Sequence, residues 1–490
     1  MADLLNSRIL SILTFLPLAA LLVVLFIPKS KVLAIKIFTL VSTGLVLLGA
    51  VYLYSIFSLS NSGLQFVERG AWIPAIGATY FMGVDGISLP VILVTALLIF
   101  VCVIASWNIQ TRPKEYFALF LLLEVGSIGV FLALDLILFY VFWELVLVPM
   151  YFLIGIWGGP RKEYAAIKFF LFTLTGSVFM LLGILAIYFY AGVHTFDMFK
   201  LAKAGVPYGI EKLAFLAFFL GFAVKVPMFP LHTWLPDAHV EAPTAASVIL
   251  AGVLLKMGAY AFIRIGLQLT PRGFKAYAFM VAILGVISII YGAMNAMVQK
   301  DVKKLVAYSS ISHMGYVMLG ISSMTIWGIG GAVLYMFNHG VITGMLFLTV
   351  GLIYDRVHTR EISKLGGFFV TTPVIGAVWA YISLASLGLP SLSGFVSEFL
   401  VLTGSFNVYR VLTGVAAIGI VITAGYMLWT IQRVDMGDEK FSNIPDATPR
   451  ELSYVIPMMA IILVAGVYPA PLINTIMPTV KALVGHLGGM

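Results

Sequence analysis

The sequence predicts an all-α polytopic membrane protein of about 14 transmembrane helices. Three observations carry this prediction: 61% of the 490 residues are hydrophobic, the mean hydropathy is +1.06, and only 10% of the residues are charged. A soluble protein is excluded, because soluble domains carry about 25% charged residues. Since one crossing needs about 20 residues, the chain has no room for a large soluble domain.

Apolar runs separated by polar breaks define the individual spans, with ends uncertain by about 2 to 4 residues. The first run, Ile9 to Ile27, lacks a small-residue cleavage site, so we expect a retained helix and no signal peptide. The predicted spans are 7–27, 32–58, 86–107, 116–134, 137–157, 165–190, 212–231, 243–264, 276–299, 303–322, 327–352, 372–408, 410–432 and 453–476.

The formal net charge of +8 would suggest a nucleic-acid partner in a soluble protein. Here the basic residues are too sparse and scattered to follow a phosphate backbone, so we expect a lipid bilayer and no nucleic acid as surroundings. One set of alternate connections holds 15 lysines and arginines, and the set with both termini holds 10. This bias predicts termini outside and the first connection in the cytoplasm.

A few titratable residues lie within the predicted spans. A charge near the bilayer centre costs about 2.5 to 3.5 kcal/mol on insertion scales, so each is a candidate functional residue. The candidates are Glu124, Glu144, Lys168, Lys225, Lys256 and Glu398, together with His313 and His339.

Glu144 lies in the apolar stretch LFYVFWELVLVPMYF, and Pro149 follows five residues later. No serine or threonine lies within one turn to satisfy the carboxylate locally. The free-energy cost of burying this carboxylate is therefore tolerable only if it lies beside water or a basic partner, and such surroundings favour a functional role. The alternative is a structural carboxylate that ties two helices together.

Lys225 and Lys256 differ from lysines that reach the membrane surface with a long side chain. Lys225 precedes Pro227 and Pro230, which predict a helix break, and Lys256 lies in mid-run. Burial favours the neutral amine and a nearby carboxylate favours the ammonium, so a buried lysine beside a movable carboxylate is a switchable proton carrier. Permanent ion pairs between helices are the alternative.

A second break is predicted within 381–402, where Gly388, Pro390 and Gly394 interrupt an apolar run and Glu398 follows. In transporters, discontinuous helices at corresponding places in two halves mark the transport path, because unwound backbone must line a cavity.

The two breaks suggest two inverted repeats of five helices each. We place the repeats at 116–266 and 274–433, after an N-terminal part at 1–110 and before a C-terminal loop and helix at 434–490.

Four histidines and the single cysteine complete the inventory. His313 and His339 lie within apolar runs on successive helices; His339 favours a proton relay, because histidine titrates near neutral pH, and His313 fits a relay and a structural role equally. His232 and His239 fit no zinc ligand spacing and are interpreted as loop residues. With Cys102 alone, no iron–sulfur cluster is expected, so the chain itself should hold no metal or redox cofactor.

Three long motifs closely resemble the antiporter-like membrane subunits of respiratory complex I, in particular subunit M, or chain 4. They are FWELVLVPMYFLIGIWGG at 142–159, AVKVPMFPLHTWLPDAHVEAPTAASVILAGVLLKMGAY at 223–260 and SLGLPSLSGFVSEF at 386–399. The resemblance covers nearly the whole chain. Chain 5 would be expected to continue into a long lateral helix, whereas this chain stops soon after its last predicted span.

The resemblance implies a role for each matching residue. Glu144 and Lys225 resemble the acid and lysine pair of the first half-channel, and Lys256 resembles the central lysine. His339 resembles the histidine of the second half, and Glu398 the terminal acid near the exit. Glu124 and Lys168 lie in matching segments and, like His313, are possible proton-transfer residues.

The resemblance also implies a function. The chain would be a proton-translocating subunit of an NADH:quinone oxidoreductase, in a bacterial inner membrane and next to other antiporter-like subunits. FMN, iron–sulfur clusters and quinone would lie in other subunits. One alternative is a subunit of a cation/proton antiporter or membrane-bound hydrogenase complex of the same superfamily. The other is a purely structural subunit whose buried charges are helix-to-helix ion pairs.

Overall fold

The computed structural model describes residues 6–488, and almost all of its regular structure is helical. The helices of the first half are Ile9–Phe26, Val32–Ile56, Ser88–Ala105, Pro113–Leu132, Leu136–Leu145, Leu147–Trp157, Lys162–Tyr190, Met198–Ala204, Tyr208–Lys225, Trp234–Glu241 and Thr244–Leu267. The helices of the second half are Pro271–Met297, Val302–Ser322, Ile326–Val357, Phe368–Thr371, Pro373–Ser386, Ser393–Phe406, Arg410–Asp435, Pro449–Val467 and Ala470–Gly488.

Eleven helices in the described range are long and apolar enough to cross a membrane, and two shorter apolar helices accompany them. The prediction of a helical, multi-pass membrane protein is therefore confirmed. The count of fourteen crossings and the two inverted repeats stay predictions.

Two helices occupy the centre of the protein. The most apolar stretches of Thr244–Leu267 and Ile326–Val357 are wholly buried, whereas those of Val32–Ile56 and Arg410–Asp435 are only one-third buried. A peripheral membrane helix exposes one face to lipid, so full burial places the first two helices among other helices on all sides. We call them the central helix, which carries Lys256, and the histidine helix, which carries His339.

The first break follows Lys225, and both Pro227 and Pro230 lie in it, as predicted. The segment after the break is a second short helix, Trp234–Glu241, and not a loop. The interpretation of His239 as a loop residue is wrong, because it lies in this helix and is fully buried. Pro236 stands in the first turn, where its missing N–H would have no helical partner in any case.

The second break divides the single predicted span 372–408 into Pro373–Ser386 and Ser393–Phe406. Gly388 adopts a left-handed backbone with φ +81°, which an L residue rarely accepts. Gly394 was expected within the break, but it is the second residue of the following helix. A Cβ there would collide with the Ala385 carbonyl, so the glycine permits close packing of the two helix ends.

A β-hairpin in the connection 57–87 was not predicted. Strands Gln65–Ile73 and Ala78–Val84 pair antiparallel. Arg69 of the hairpin pairs with Asp197 at 2.7 Å, and the Thr79 N–H donates to Asp135 at 2.8 Å. We call the membrane face that carries this hairpin the hairpin side.

The C-terminal region departs from the predicted single span 453–476. The helix that begins at Pro449 ends at Val467, and a separate helix, Ala470–Gly488, follows. Pro469 lies between them, and a proline does not continue a helix readily. Thr479 of the last helix accepts a hydrogen bond from the Gly86 N–H at 3.1 Å, so this helix lies at the hairpin side.

Arg264 is the last residue of the predicted span 243–264, and the count of basic residues placed it in the connection that follows; this placement is wrong. The central helix continues to Leu267, and the Arg264 side chain is only 2% exposed because Asp85 neutralises it inside the protein at 2.6 Å. The partner comes from a distant part of the sequence, so no local pattern indicates it.

Another buried ion pair, Arg356 with Glu451 at 2.7 Å, fastens the histidine helix to Pro449–Val467. Breaking a buried pair leaves one charge uncompensated, so Arg356→Ala should lower stability by about 3 to 5 kcal/mol. Thermal denaturation of the assembled protein measures the loss. Lys364→Ala removes an exposed pair with Glu361 and should leave the transition unchanged; equal shifts for both variants would contradict this prediction.

Candidate functional site

Lys225 ends its helix beside the aromatic ring of Trp143. Its side chain is 1% exposed, its Nζ lies 5.0 Å from the Trp143 ring centroid, and Nζ has no hydrogen-bond partner among the described residues. The ring face and the negative end of the helix dipole both favour a cation here. The ammonium is thus held by weak forces only.

Glu144 lies within electrostatic range of Lys225, but the two form no direct ion pair in the described structure. Its helix, Leu136–Leu145, gives way to Leu147–Trp157 at Val146, because Pro149 cannot donate to the residue four positions earlier. One carboxylate oxygen of Glu144 is buried without a partner. The pair can therefore close or open without the loss of any other hydrogen bond from Lys225.

Lys256 is fully buried in the α-helical part of the central helix, between π-helical turns at Leu250–Leu254 and Phe262–Leu267. Its Nζ donates to the Ala251 carbonyl at 2.5 Å and lies 2.6 Å from His339 Nδ1. No carboxylate lies within ion-pair distance in the described range. Lysine and imidazole can therefore exchange a proton directly.

His313 extends the contact between Lys256 and His339. The centroids of the His313 and His339 rings are 5.5 Å apart, and His313 Nδ1 lies 2.6 Å from the Tyr335 hydroxyl oxygen. Tyr335 donates to Glu398 at 2.6 Å, and Glu398 lies 3.5 Å from His313. All these side chains are buried. The predicted residues thus form two hydrogen-bonded groups, Lys256–His339 and His313–Tyr335–Glu398, whose imidazole centroids lie 5.5 Å apart; we call the two groups together the polar chain.

A cavity of about 10 Å³ lies between the two histidines. That is about the volume in which one water molecule fits. A water molecule of this size can bridge the His313 and His339 rings, which form no direct hydrogen bond with each other. Its walls are formed by His313, Tyr335, His339, Ile342, Ala385, Ser386 and Gly394.

Glu398 lies one turn beyond the second break, and its carboxylate rests over Gly388. A Cβ at Gly388 would fall within contact distance of Glu398 Oε2, so the glycine leaves room for the carboxylate as well as making the turn. The break thus brings unwound backbone to the end of the polar chain.

Two candidates lie outside this chain. Glu124 is fully buried, and neither of its carboxylate oxygens has a hydrogen-bond partner among residues 6–488. Lys168 is about one-fifth exposed and pairs with Asp237 at 2.7 Å. The geometry of Lys168 is therefore that of an ion pair near the protein surface.

Sequence reasoning missed Tyr335 as a member of the chain. It stands four residues before His339, so both side chains share one helix face. That spacing was a usable signal. Ser386, 3.3 Å from His313 Nε2, comes from a distant helix and had no such signal.

His239 was also missed. Its ring stacks on Phe347 at 4.5 Å, and neither ring nitrogen has a partner in the described range. Lys256 and Lys303 both act on it electrostatically. A cavity of about 210 Å³, whose lining includes Lys303, Glu241 and Arg360, lies in the same region, away from the hairpin side.

Within residues 6–488, no three His, Cys, Asp or Glu side chains lie close enough together to bind a metal ion. The chemistry of the buried groups is acid–base chemistry: a lysine, two imidazoles, a phenol and a carboxylate can pass protons.

Comparisons with known proteins identify the family of this chain. The family model for NADH:quinone oxidoreductase/Mrp antiporter, TM, matches residues 133–423. NADH-quinone oxidoreductase subunit M of Rhodobacter capsulatus is 45% identical over 496 aligned residues, which cover 98% of this chain and 96% of the relative.

Solved structures match as well. A chain of respiratory complex I from Thermus thermophilus superposes with a TM-score of 0.91 and 32% identity, covering 98% of this chain and 100% of that one. A chain of the Mrp complex from Dietzia sp. has a TM-score of 0.85 at 20% identity and 98% coverage of both chains, which shows a common fold alone. The chain therefore belongs to the family of antiporter-like membrane subunits M, or chain 4, of respiratory complex I.

Proposed function

We propose that this chain is a proton-translocating subunit of an NADH:quinone oxidoreductase. The observation that carries the proposal is the buried polar chain from Lys256 through His339, His313 and Tyr335 to Glu398. Each member can take up and release a proton, and full burial excludes a solvation role at the protein surface. The relatives named subunit M support the assignment to this complex.

The transfer begins at Lys256. Its ammonium passes a proton to His339 Nδ1 across 2.6 Å, and the imidazole releases a proton from Nε2, which has no other partner in residues 6–488. A water of the small cavity carries that proton to His313, and Tyr335 links His313 to Glu398. Only bonds to hydrogen are made and broken.

The Glu144–Lys225 pair sets the proton affinity of Lys256. In this proposal, an open pair leaves the positive charge of Lys225 uncompensated, which favours neutral Lys256; a closed pair reduces that repulsion. Redox chemistry elsewhere in the complex would shift this pair. Lys225 is suited to the role because only the Trp143 ring and weak electrostatic forces hold it.

Protons would enter on the face opposite the hairpin side and leave on the hairpin side. The cavity beside Lys303 and the unpartnered His239 support the entry, and the second break beside Glu398 supports the exit. The excess of basic residues in the connections opposite the hairpin side supports a cytoplasmic location for that face and a periplasmic one for the termini. A bacterial inner membrane follows from this proposal.

The partners in this proposal are the lipid bilayer and other membrane subunits of the complex. FMN, iron–sulfur clusters and the quinone site are assigned to other subunits, as the resemblance to the complex I subunits implies; the single cysteine supports this for the clusters. A cation/proton antiporter complex is the alternative, and the genes next to this one distinguish the two. Genes for flavin and cluster subunits would support complex I.

Glu144→Ala and Lys225→Ala should each abolish proton pumping while the complex still assembles, because each removes half of the charge pair that controls Lys256. Pumping is measured as NADH-driven acidification of inverted membrane vesicles, normalised to the amount of complex. Lys162→Ala, at the membrane surface, is the control and should pump normally. Full pumping by both test variants would contradict the site assignment.

A further inference from the structure

A second stripe of polar residues runs from Lys256 in the direction away from Ala251. Tyr260 and Arg264 follow Lys256 at four-residue intervals on the central helix, and Gln268 comes directly after its last residue, Leu267. Arg264 links its two neighbours in this stripe, because its Nε donates to the Tyr260 hydroxyl at 3.0 Å and its Nη1 donates to the Gln268 side-chain oxygen at 3.1 Å. The stripe thus leads from the central lysine toward the hairpin side.

A cavity of about 530 Å³ lies at the end of this stripe. Its lining includes Arg264 and Asp85, the exposed His486 and Lys203, and Thr479 of the last helix. The side chains of Arg264 and Asp85 are nevertheless only 2% and 4% exposed. The cavity therefore reaches the ion pair and stops there.

The groups between the cavity and Lys256 are poor proton carriers. A guanidinium contains no hydrogen-bond acceptor atom, so it cannot take up a proton, and it does not release one at physiological pH. All three of its donor groups are engaged, with Nη2 on Asp85 at 2.6 Å. The Tyr260 hydroxyl is held as well, since it donates to the Phe131 carbonyl at 3.0 Å.

We propose that the Arg264 guanidinium, held in place by Asp85, closes the hairpin-side cavity against Lys256 and so prevents direct release of the proton through the first half of the protein. The proton must then cross to His339 and leave by Glu398. This role rests on the proposed function of Lys256 as a proton carrier. Without the barrier, Lys256 would be reached from both faces of the membrane and the proton gradient would leak.

Arg264→Gln in the complete complex, reconstituted into liposomes with an internal pH dye, tests the barrier. After an acid pulse without NADH, we expect proton entry several-fold faster than in the wild type. Asp85→Asn is the matched control: it removes the negative charge but keeps the guanidinium and a side-chain oxygen that can accept its hydrogen bond, so it should stay as tight as the wild type. A tight Arg264→Gln, or equal leaks in both variants, would overturn the proposal.

A double variant tests the route of the leak. Lys256→Met combined with Arg264→Gln should be tight again, and a leak that persists in it overturns the proposal. Pumping by Lys256→Met alone tests the proposed function separately, because it needs no variant of Arg264. If Arg264→Gln fails to assemble, Arg264→Lys replaces it. The lysine amine can release a proton, so we expect proton entry to be faster than in Asp85→Asn. Equal rates of proton entry in these two variants would overturn the proposal.

Discussion

Lys256→Met should stop proton pumping in an assembled complex. The Nζ of Lys256 is the only group within hydrogen-bond distance of His339 Nδ1 in the described range, so its removal ends the polar chain at its first member. The loss should be roughly 100-fold or more, as is typical when a proton-transfer group is removed. The measurement is the initial rate of NADH-driven vesicle acidification per assembled complex.

Lys256→Arg should fail nearly as completely, because arginine keeps the charge but does not release its proton. Lys36→Met is the matched control, since Lys36 is also buried and also donates to a carbonyl, that of Trp107 at 2.7 Å. It should pump normally. Normal pumping by Lys256→Arg would instead favour the structural alternative, in which only the charge matters.

Glu398→Gln should also abolish pumping. Glutamine has the same shape and can still accept the hydrogen bond from Tyr335, but it cannot take up the proton that reaches the end of the chain. We again expect a loss of roughly 100-fold. Tyr335→Phe should show a smaller loss, because the 3.5 Å separation of His313 and Glu398 leaves a second contact.

Asp435→Asn is the control for Glu398→Gln. Asp435 is equally buried, and both its oxygens lack a partner among residues 6–488, yet it lies outside the polar chain. It should pump at the wild-type rate. Loss of pumping in both variants would mean that buried carboxylates matter for assembly or stability in general and not for a defined path.

The alternative of a purely structural subunit, whose buried charges are ion pairs between helices, requires different contacts of Lys256. It requires a carboxylate close enough for a helix-to-helix ion pair, whereas the described contacts of Nζ are a carbonyl and an imidazole. Such pairs do exist elsewhere in the protein, as Arg264–Asp85 and Arg356–Glu451 illustrate. The alternative thus explains those arginines better than it explains the lysine.

The helix breaks were predictable because their causes are local. Pro227, Pro230 and Gly388 impose their backbone preferences whatever surrounds them, and all three lie in the observed breaks. Gly394 was misplaced because its reason is a neighbour: it leaves space for the Ala385 carbonyl. Close packing of this kind involves a residue outside the local pattern.

The errors at His239 and Arg264 have the same origin. His239 was interpreted as a loop residue, but it lies in the helix Trp234–Glu241, whose first turn accepts Pro236 because the N–H groups of that turn have no helical partner. Arg264 stood near a predicted span end, where an arginine is ordinarily solvated. Its burial depends on Asp85, 179 residues earlier in the chain, and no pattern around Arg264 indicates that partner.

The sequence by itself determined the membrane class, the family and the small set of buried titratable residues, because the cost of a charge in an apolar run is a local property. Only the tertiary structure decided which of them act together. Lys256 meets a histidine 83 residues away and no carboxylate, while Glu124 and Lys168 lie outside the polar chain. Proton transfer requires contact within about 3 Å, and such contacts arise only when distant helices pack together.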